Sequence, residues 1–151
     1  MNMDIPLKFL HVQQVLTISC HDKKGVWAAP VYVGVEGEKI YFISPKNAKH
    51  SKMILKDPNV AFTAAWFSPK DHRDRKGVQG LGTCRLADTE DEIAIGVWLH
   101  NQSFHEFKDK VTVEWVHNNE WGSSVWVLTP SYIKFWDDAR YGDEESEEFT
   151  V

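Results

Sequence analysis

Residues Lys39 to Phe62, KIYFISPKNAKHSKMILKDPNVAF, decide how the rest of the chain is read. Ile40 to Ser44 is β-branched and aromatic, a composition that suits a pleated strand. Pro45 closes it, because proline has no N–H to give a ladder. Asn47 is placed to cap a short helix. Met53, Ile54 and Leu55 supply that helix with apolar contacts, and Asp57-Pro58 stops it. Val60 to Phe67 then returns as a strand. Lys46, Lys49, His50, Ser51 and Lys52 therefore gather where a strand hands over to a helix N-terminus. Free amides, cations and a hydroxyl in one place suit an anion. A solvated, lysine-rich helix face carries the same residues, so the surrounding chain has to decide between the two.

Before this stretch, Ile5 to Val12 has the apolar spacing of a short helix. Val15 to Cys20, VLTISC, reads as a strand, and HDKKG is a polar turn. Val26 to Val35, VWAAPVYVGV, is a second strand, interrupted by Pro30, and EGEK with Gly37 makes a tight hairpin into the third. A proline inside a strand places it on an edge. The small Ala28 and Ala29 beside it would let a flat ring lie against the chain, although an ordinary edge strand has the same look. After Phe67, SPKDHRDRKG is an exposed loop. Val78 to Leu86, VQGLGTCRL, is a strand whose Gly80 and Gly82 indicate a bulge or a close approach. Thr89 and Glu92 have capping-box spacing at the start of a helix that buries Ile93, Val97 and Leu99 or His100. Gln102 to Glu120 reads as loop with one short helix. Ser124 to Leu128 and Tyr132 to Trp136 close the chain as two strands joined at Thr129-Pro130. The sum is a mainly β protein, a six-stranded antiparallel barrel with helical connections.

A chain of 151 residues forms one domain with a sizeable core. Its net charge of −5 argues against a polyanion binder and against stacking single-stranded nucleic acid on its seven tryptophans, because such binding needs a basic groove. Asp143, Glu144, Glu145, Glu147 and Glu148 crowd the end, so residues 1–141 are read as the domain and 142–151 as a flexible acidic tail. Cys20 and Cys84 sit in apolar runs, as buried free thiols do in a reducing compartment. With no apolar stretch long enough for a bilayer and no signal-like start, a cytoplasmic protein is expected.

Few motifs carry chemistry alone. His100 and His105 do not share a helix face, and no cysteine pair accompanies them, so no metal site is expected. A P-loop and a dinucleotide fingerprint are both missing. Asp137 and Asp138 are adjacent, and adjacent strand residues point to opposite faces, which makes them poor acid–base partners. Gln79 either aims an amide at a ligand or faces water. Trp121, Trp126 and Trp136 are first of all candidates for core or interface.

The order VLTISC, AAPVYVGVEGEKIYFIS, KHSKMILKDPNVAF, VQGLGTCRLAD and VWVLTPSYIKFWDD resembles the pyridoxamine 5′-phosphate oxidase-like family of FMN-binding split barrels, from about Val15 to Trp136. The closing P-x-x-I-K-F-W-D is similar to that of small members such as the general stress proteins. The resemblance implies a homodimer holding FMN at its interface. Ala29, Pro30 and Val31 would run beside the isoalloxazine and Ser44 would face the ribityl chain or phosphate. Lys49 and His50 would grip the phosphate, Gln79 would approach the ring, and Trp126 would lie by the flavin. Two departures matter. His50 stands where a lysine is typical, and the arginines that read a vitamin B6 phosphate are missing, Arg140 alone being too little. The resemblance therefore implies a flavin-dependent oxidoreductase acting on a small molecule, not a true pyridoxamine phosphate oxidase. The other reading is a non-catalytic module of the same fold holding flavin, the deazaflavin F420 or haem.

Overall fold

The computed structural model describes residues 3–118 and 122–151. Helix α1 (Asp4–Gln13) leads into strands β1 (Val15–Asp22), β2 (Gly25–Glu36) and β3 (Lys39–Pro45). Helix α2 (Lys49–Lys56) follows, then β4 (Asn59–Phe67), β5 (Arg75–Leu86) and helix α3 (Glu90–Ser103). A 3₁₀ turn (His105–Phe107) and α4 (Val113–His117) precede the long β6 (Ser123–Asp137), α5 (Asp138–Tyr141) and β7 (Ser146–Thr150).

All strands are antiparallel, in the order β3-β2-β1-β4-β5-β6-β7, and β3 also pairs with β6. That last pairing closes six strands into a barrel, as expected, and leaves β7 as a seventh strand outside the ring. Side chains alternate across each strand. Ile18, Phe62, Val78, Ile133 and Phe135 point inward to one core, which α1 extends with Leu7, Phe9 and Leu10. A second, smaller core of Tyr41, Val97, Leu99, Val125 and Val127 lies between α3 and the outside of β3 and β6. Glu92 anchors α3 there: it takes two hydrogen bonds from Arg85, at 2.8 Å each, and one from Lys39 at 3.1 Å. The Arg85 guanidinium, first among these, holds the Glu92 carboxyl well below the usual carboxylate range. Thr89 Oγ1 accepts from Glu92 N–H, as the capping-box spacing requires. Both cysteines are free and buried, and burial pushes the Cys84 thiol up to about 12. Among the described residues no helix is long and apolar enough to cross a membrane.

Several boundaries differ from the sequence reading. Pro30 does not interrupt β2, which runs unbroken and pairs with β1 from Gly25 to Tyr32 and with β3 only from Val33 to Glu36. Along Gly25 to Tyr32 its other edge has no strand partner among the described residues, so the missing N–H of Pro30 can face open space. The two expected closing strands are one. Thr129 to Ser131 lie where β6 passes from β3 to β7, and Pro130 is tolerated there because neither strand needs its N–H. The register shifts at Leu81/Gly82, and a Cβ on Gly82 would come within 2.5 Å of the Thr129 carbonyl oxygen, so the bulge requires glycine. Gln102 to Glu120 contains the end of α3, the 3₁₀ turn and α4; Glu120 and Trp121 lie outside the described residues.

The acidic tail is the largest correction. Instead of a flexible end, Ser146–Thr150 pairs with Trp136–Tyr132, and Phe149 is buried at 3% exposure. The glutamates nevertheless stay exposed, Glu147 accepting a hydrogen bond from the Tyr141 hydroxyl at 2.6 Å, while Phe149 enters the core. Replacing Phe149 by alanine should cost about 3 kcal/mol in denaturant unfolding, as for other buried phenylalanines. An unchanged midpoint would return the segment to the status of a loose tail.

Candidate functional site

The start of α2 assembles the polar cluster expected from the sequence. Pro45 ends β3, Lys46 N–H donates to Gly122 O at 3.2 Å, and Ala48 becomes the N-cap residue. Asn47 does not cap: the N-cap position is Ala48, which makes no side-chain cap bond, and the first turn holds no acidic residue. Ser51 is fully buried, and its Oγ has no hydrogen-bond partner among the described residues. The helix N-terminus, positive by its dipole, thus lacks the acceptors that normally satisfy it.

Two side chains flank that start in different ways. His50 Nε2 and Ser44 Oγ are hydrogen-bonded at 2.7 Å, and Ser44 is itself buried. Burial lowers the His50 pKa, so the imidazole is neutral at pH 7. Lys49 points outward, its Nζ 4.0 Å from the centre of the Trp27 ring. Lys24, Lys49, Lys52 and Lys56, with Asp22 and Asn47, bound a cleft of about 340 Å³. It continues toward a larger hollow of about 650 Å³ beside Lys23 and the His21–Asp57 pair. Cation–π contact with Lys49 makes Trp27 part of the site. In the sequence Trp27 is one apolar residue of a strand, and only its contact with Lys49 across from α2 singles it out.

The other candidates divide. Ala29 and Val31 are buried and point into the core, leaving their backbone on the open β2 edge. Pro30 faces out. Cross-strand register puts Pro30, Thr17, Thr63 and Gln79 in one row on the outer face. The next row is Ala28, Ser19, Ala61 and Leu81. Apart from Gln79 and Leu81, these side chains are short. Gln79 is three strands from Pro30, roughly 14 Å at ordinary strand spacing. It lines a separate small cleft with Arg75, Lys134 and Trp136, so one chain does not bring it to α2. Trp126 is wholly buried. It stacks on Phe42 and donates its indole N–H to Ser44 O at 3.0 Å, so it has no surface for a ligand and instead holds Ser44 in place. Asp137 and Asp138 pair separately with Lys76 and Arg75. Among the described residues no cluster could hold a metal ion.

The fold is that of the pyridoxamine 5′-phosphate oxidase-like split barrels. A haem-binding protein from Mycobacterium smegmatis superposes with a TM-score of 0.73 at 19% identity over 96% of this chain, which spans 57% of that protein's length. A Listeria innocua protein provisionally assigned as a pyridoxamine 5′-phosphate oxidase matches with a TM-score of 0.65 at 19% identity, covering 85% of this chain and 93% of its own. An FAD-binding protein from Mesorhizobium loti gives a TM-score of 0.58 at 15% identity, over 83% and 85%. No protein-family model matches the sequence, and no curated protein matches it.

His50 has a pH consequence whose sign follows from its lowered pKa. Below the unfolded value of about 6.5, the unfolded chain takes up a proton that folded His50 refuses. Stability should therefore fall as pH drops through that value, and stop falling once folded His50 titrates. Thermal melts at pH 7.5 and 5.5 should show a smaller loss for His50→Gln than for the parent chain. Equal losses would mean that His50 is not held neutral.

Proposed function

We propose that this chain is an FMN-binding protein that works as a homodimer and catalyses flavin-dependent oxidation–reduction of a small molecule. The observation that carries this reading is the uncapped start of α2. Its N-cap residue offers the amides no side-chain acceptor, its first turn holds no carboxylate, and Lys49 and Lys52 stand beside it. A phosphate supplies the missing acceptors and the negative charge together. His50, kept neutral by burial, would donate one hydrogen bond and gain a proton as the dianion approaches.

Ser44 and Trp126 would position His50, not touch the cofactor. Ala29, Pro30 and Val31 would serve the isoalloxazine through the open backbone edge of β2, beside the short side chains of the outer face. One chain leaves that face uncovered, and a second copy laid against it would complete the crevice. Gln79, at the far end of the same row, would then meet the ring's edge or the partner. When bound, the flavin supplies the redox chemistry; the protein's part is to hold the ring, exclude water and offer hydrogen bonds to it.

The deazaflavin F420 would use the same phosphate grip and remains the alternative occupant. Haem fits less well, because His50 Nε2 is already tied to Ser44. Vitamin B6 oxidase activity is not proposed: Arg140 lies at the barrel end away from α2.

FMN added to the purified chain should give a bound-flavin absorption spectrum, and gel filtration should return a dimer. Lys49→Ala with His50→Ala should weaken FMN by tenfold or more, on the scale of a lost charged hydrogen bond. Unchanged occupancy in that double variant would sink the phosphate grip, and a monomer carrying full flavin would sink the shared crevice.

A further inference from the structure

The barrel end away from α2 holds a second cleft, of about 520 Å³, between α1 and the ends of β4, β5 and β6. Trp66, on its far wall, is seven residues along β4 from Asn59, the end next to α2. At strand rise that is roughly 23 Å, so this cleft is distinct from the α2 site. One wall is a single stripe of α1: Ile5, Lys8, Phe9 and Val12. The facing wall is Trp66 and Arg140, with Lys76 and Asp137 between. Phe9 and Phe135 touch at a ring separation of 5.7 Å, and they form the floor.

The charges sort into two groups. Lys76 Nζ lies 3.9 Å from Asp137 Oδ2 and 5.2 Å over the Trp66 ring, so this cation already has partners. Asp137 Oδ1 also accepts from Arg140 N–H at 3.3 Å, at the start of α5. Lys8 and the Arg140 guanidinium, by contrast, form no ion pair with any described residue. An aromatic and aliphatic slot with two unpaired cations at its rim is the pattern of a site that buries a flat apolar body and grips one anionic end. Its volume falls in the range of small-molecule sites. The Asp137 carboxylate beside it favours a monoanion over a phosphate dianion.

We propose that this cleft binds a small aromatic monocarboxylate. Its ring lies between Phe9 and Trp66, and its carboxylate reaches Arg140 and Lys8. The inference does not depend on FMN, because it rests on α1 and α5 and not on α2.

Calorimetric titration of the full chain with indole-3-carboxylate should show one saturable site per chain, and indole-3-carboxamide should bind at least tenfold more weakly. Lys8→Gln and Arg140→Gln, both at the surface, should each weaken the carboxylate about tenfold. Val12→Glu should do the same by placing a like charge at the mouth, where Val12 is 74% exposed and its replacement spares the core. Lys49→Ala should leave this binding unaltered. The proposal fails if nothing saturates up to millimolar ligand, if carboxamide and carboxylate bind alike, or if Arg140→Gln is neutral while Lys49→Ala abolishes binding.

Discussion

The pairing of β3 with β6 is what the rest of the molecule depends on. Ile40 to Pro45 lies in register against Leu128 to Ser123, and without that ladder the sheet would stay open. Its effects reach the cationic cluster directly. The pairing sets Ser44 opposite Ser124 and brings the Trp126 indole to the Ser44 carbonyl. Ser44 in turn holds His50 on the first turn of α2. A backbone ladder between segments eighty residues apart thus fixes the orientation of an imidazole.

β6 can do this because it serves three neighbours. One edge pairs with β5 from Trp126 to Asp137, while the other pairs first with β3, from Ser123 to Leu128, and then with β7, from Tyr132 to Trp136. The bend at Thr129 to Ser131 is where it changes partner, and Gly82 opposite lets the two backbones approach. A buried tryptophan near one end and Asp137 at the other tie both barrel ends to a single strand.

Polar groups are satisfied unevenly across the fold. Glu92, Arg85 and Lys39 form a closed set on the outside of the barrel, each cation answered by the same carboxylate. The α2 start shows the opposite: uncapped amides, a buried hydroxyl with no partner and no carboxylate in the first turn. Leaving the buried hydroxyl unpaired costs of order 1 kcal/mol or more; the helix start, its dipole uncompensated by any carboxylate in the first turn, is where an anion would be stabilised.

The element order was legible in the residues, because period and punctuation are local. Pro45, Asp57-Pro58, Gly37 and the Thr89–Glu92 spacing mark ends that the structure keeps, and the strand with Pro30 is an edge along that segment. The cluster at Lys49 and His50 was legible for the same reason, since four neighbouring residues of one helix must lie close together. What tertiary structure alone decided is which distant groups meet. Trp126 went to the core and Gln79 three strands away from Pro30, because register and barrel closure, not residue type, place them. The acidic end became β7 because one phenylalanine among glutamates found the core, a long-range burial that no local charge count can show. The slot beneath α1 is likewise a product of packing: its walls come from the first helix, from β4 and β5 in the middle of the chain and from residues 135–140, and only the closed barrel sets them face to face.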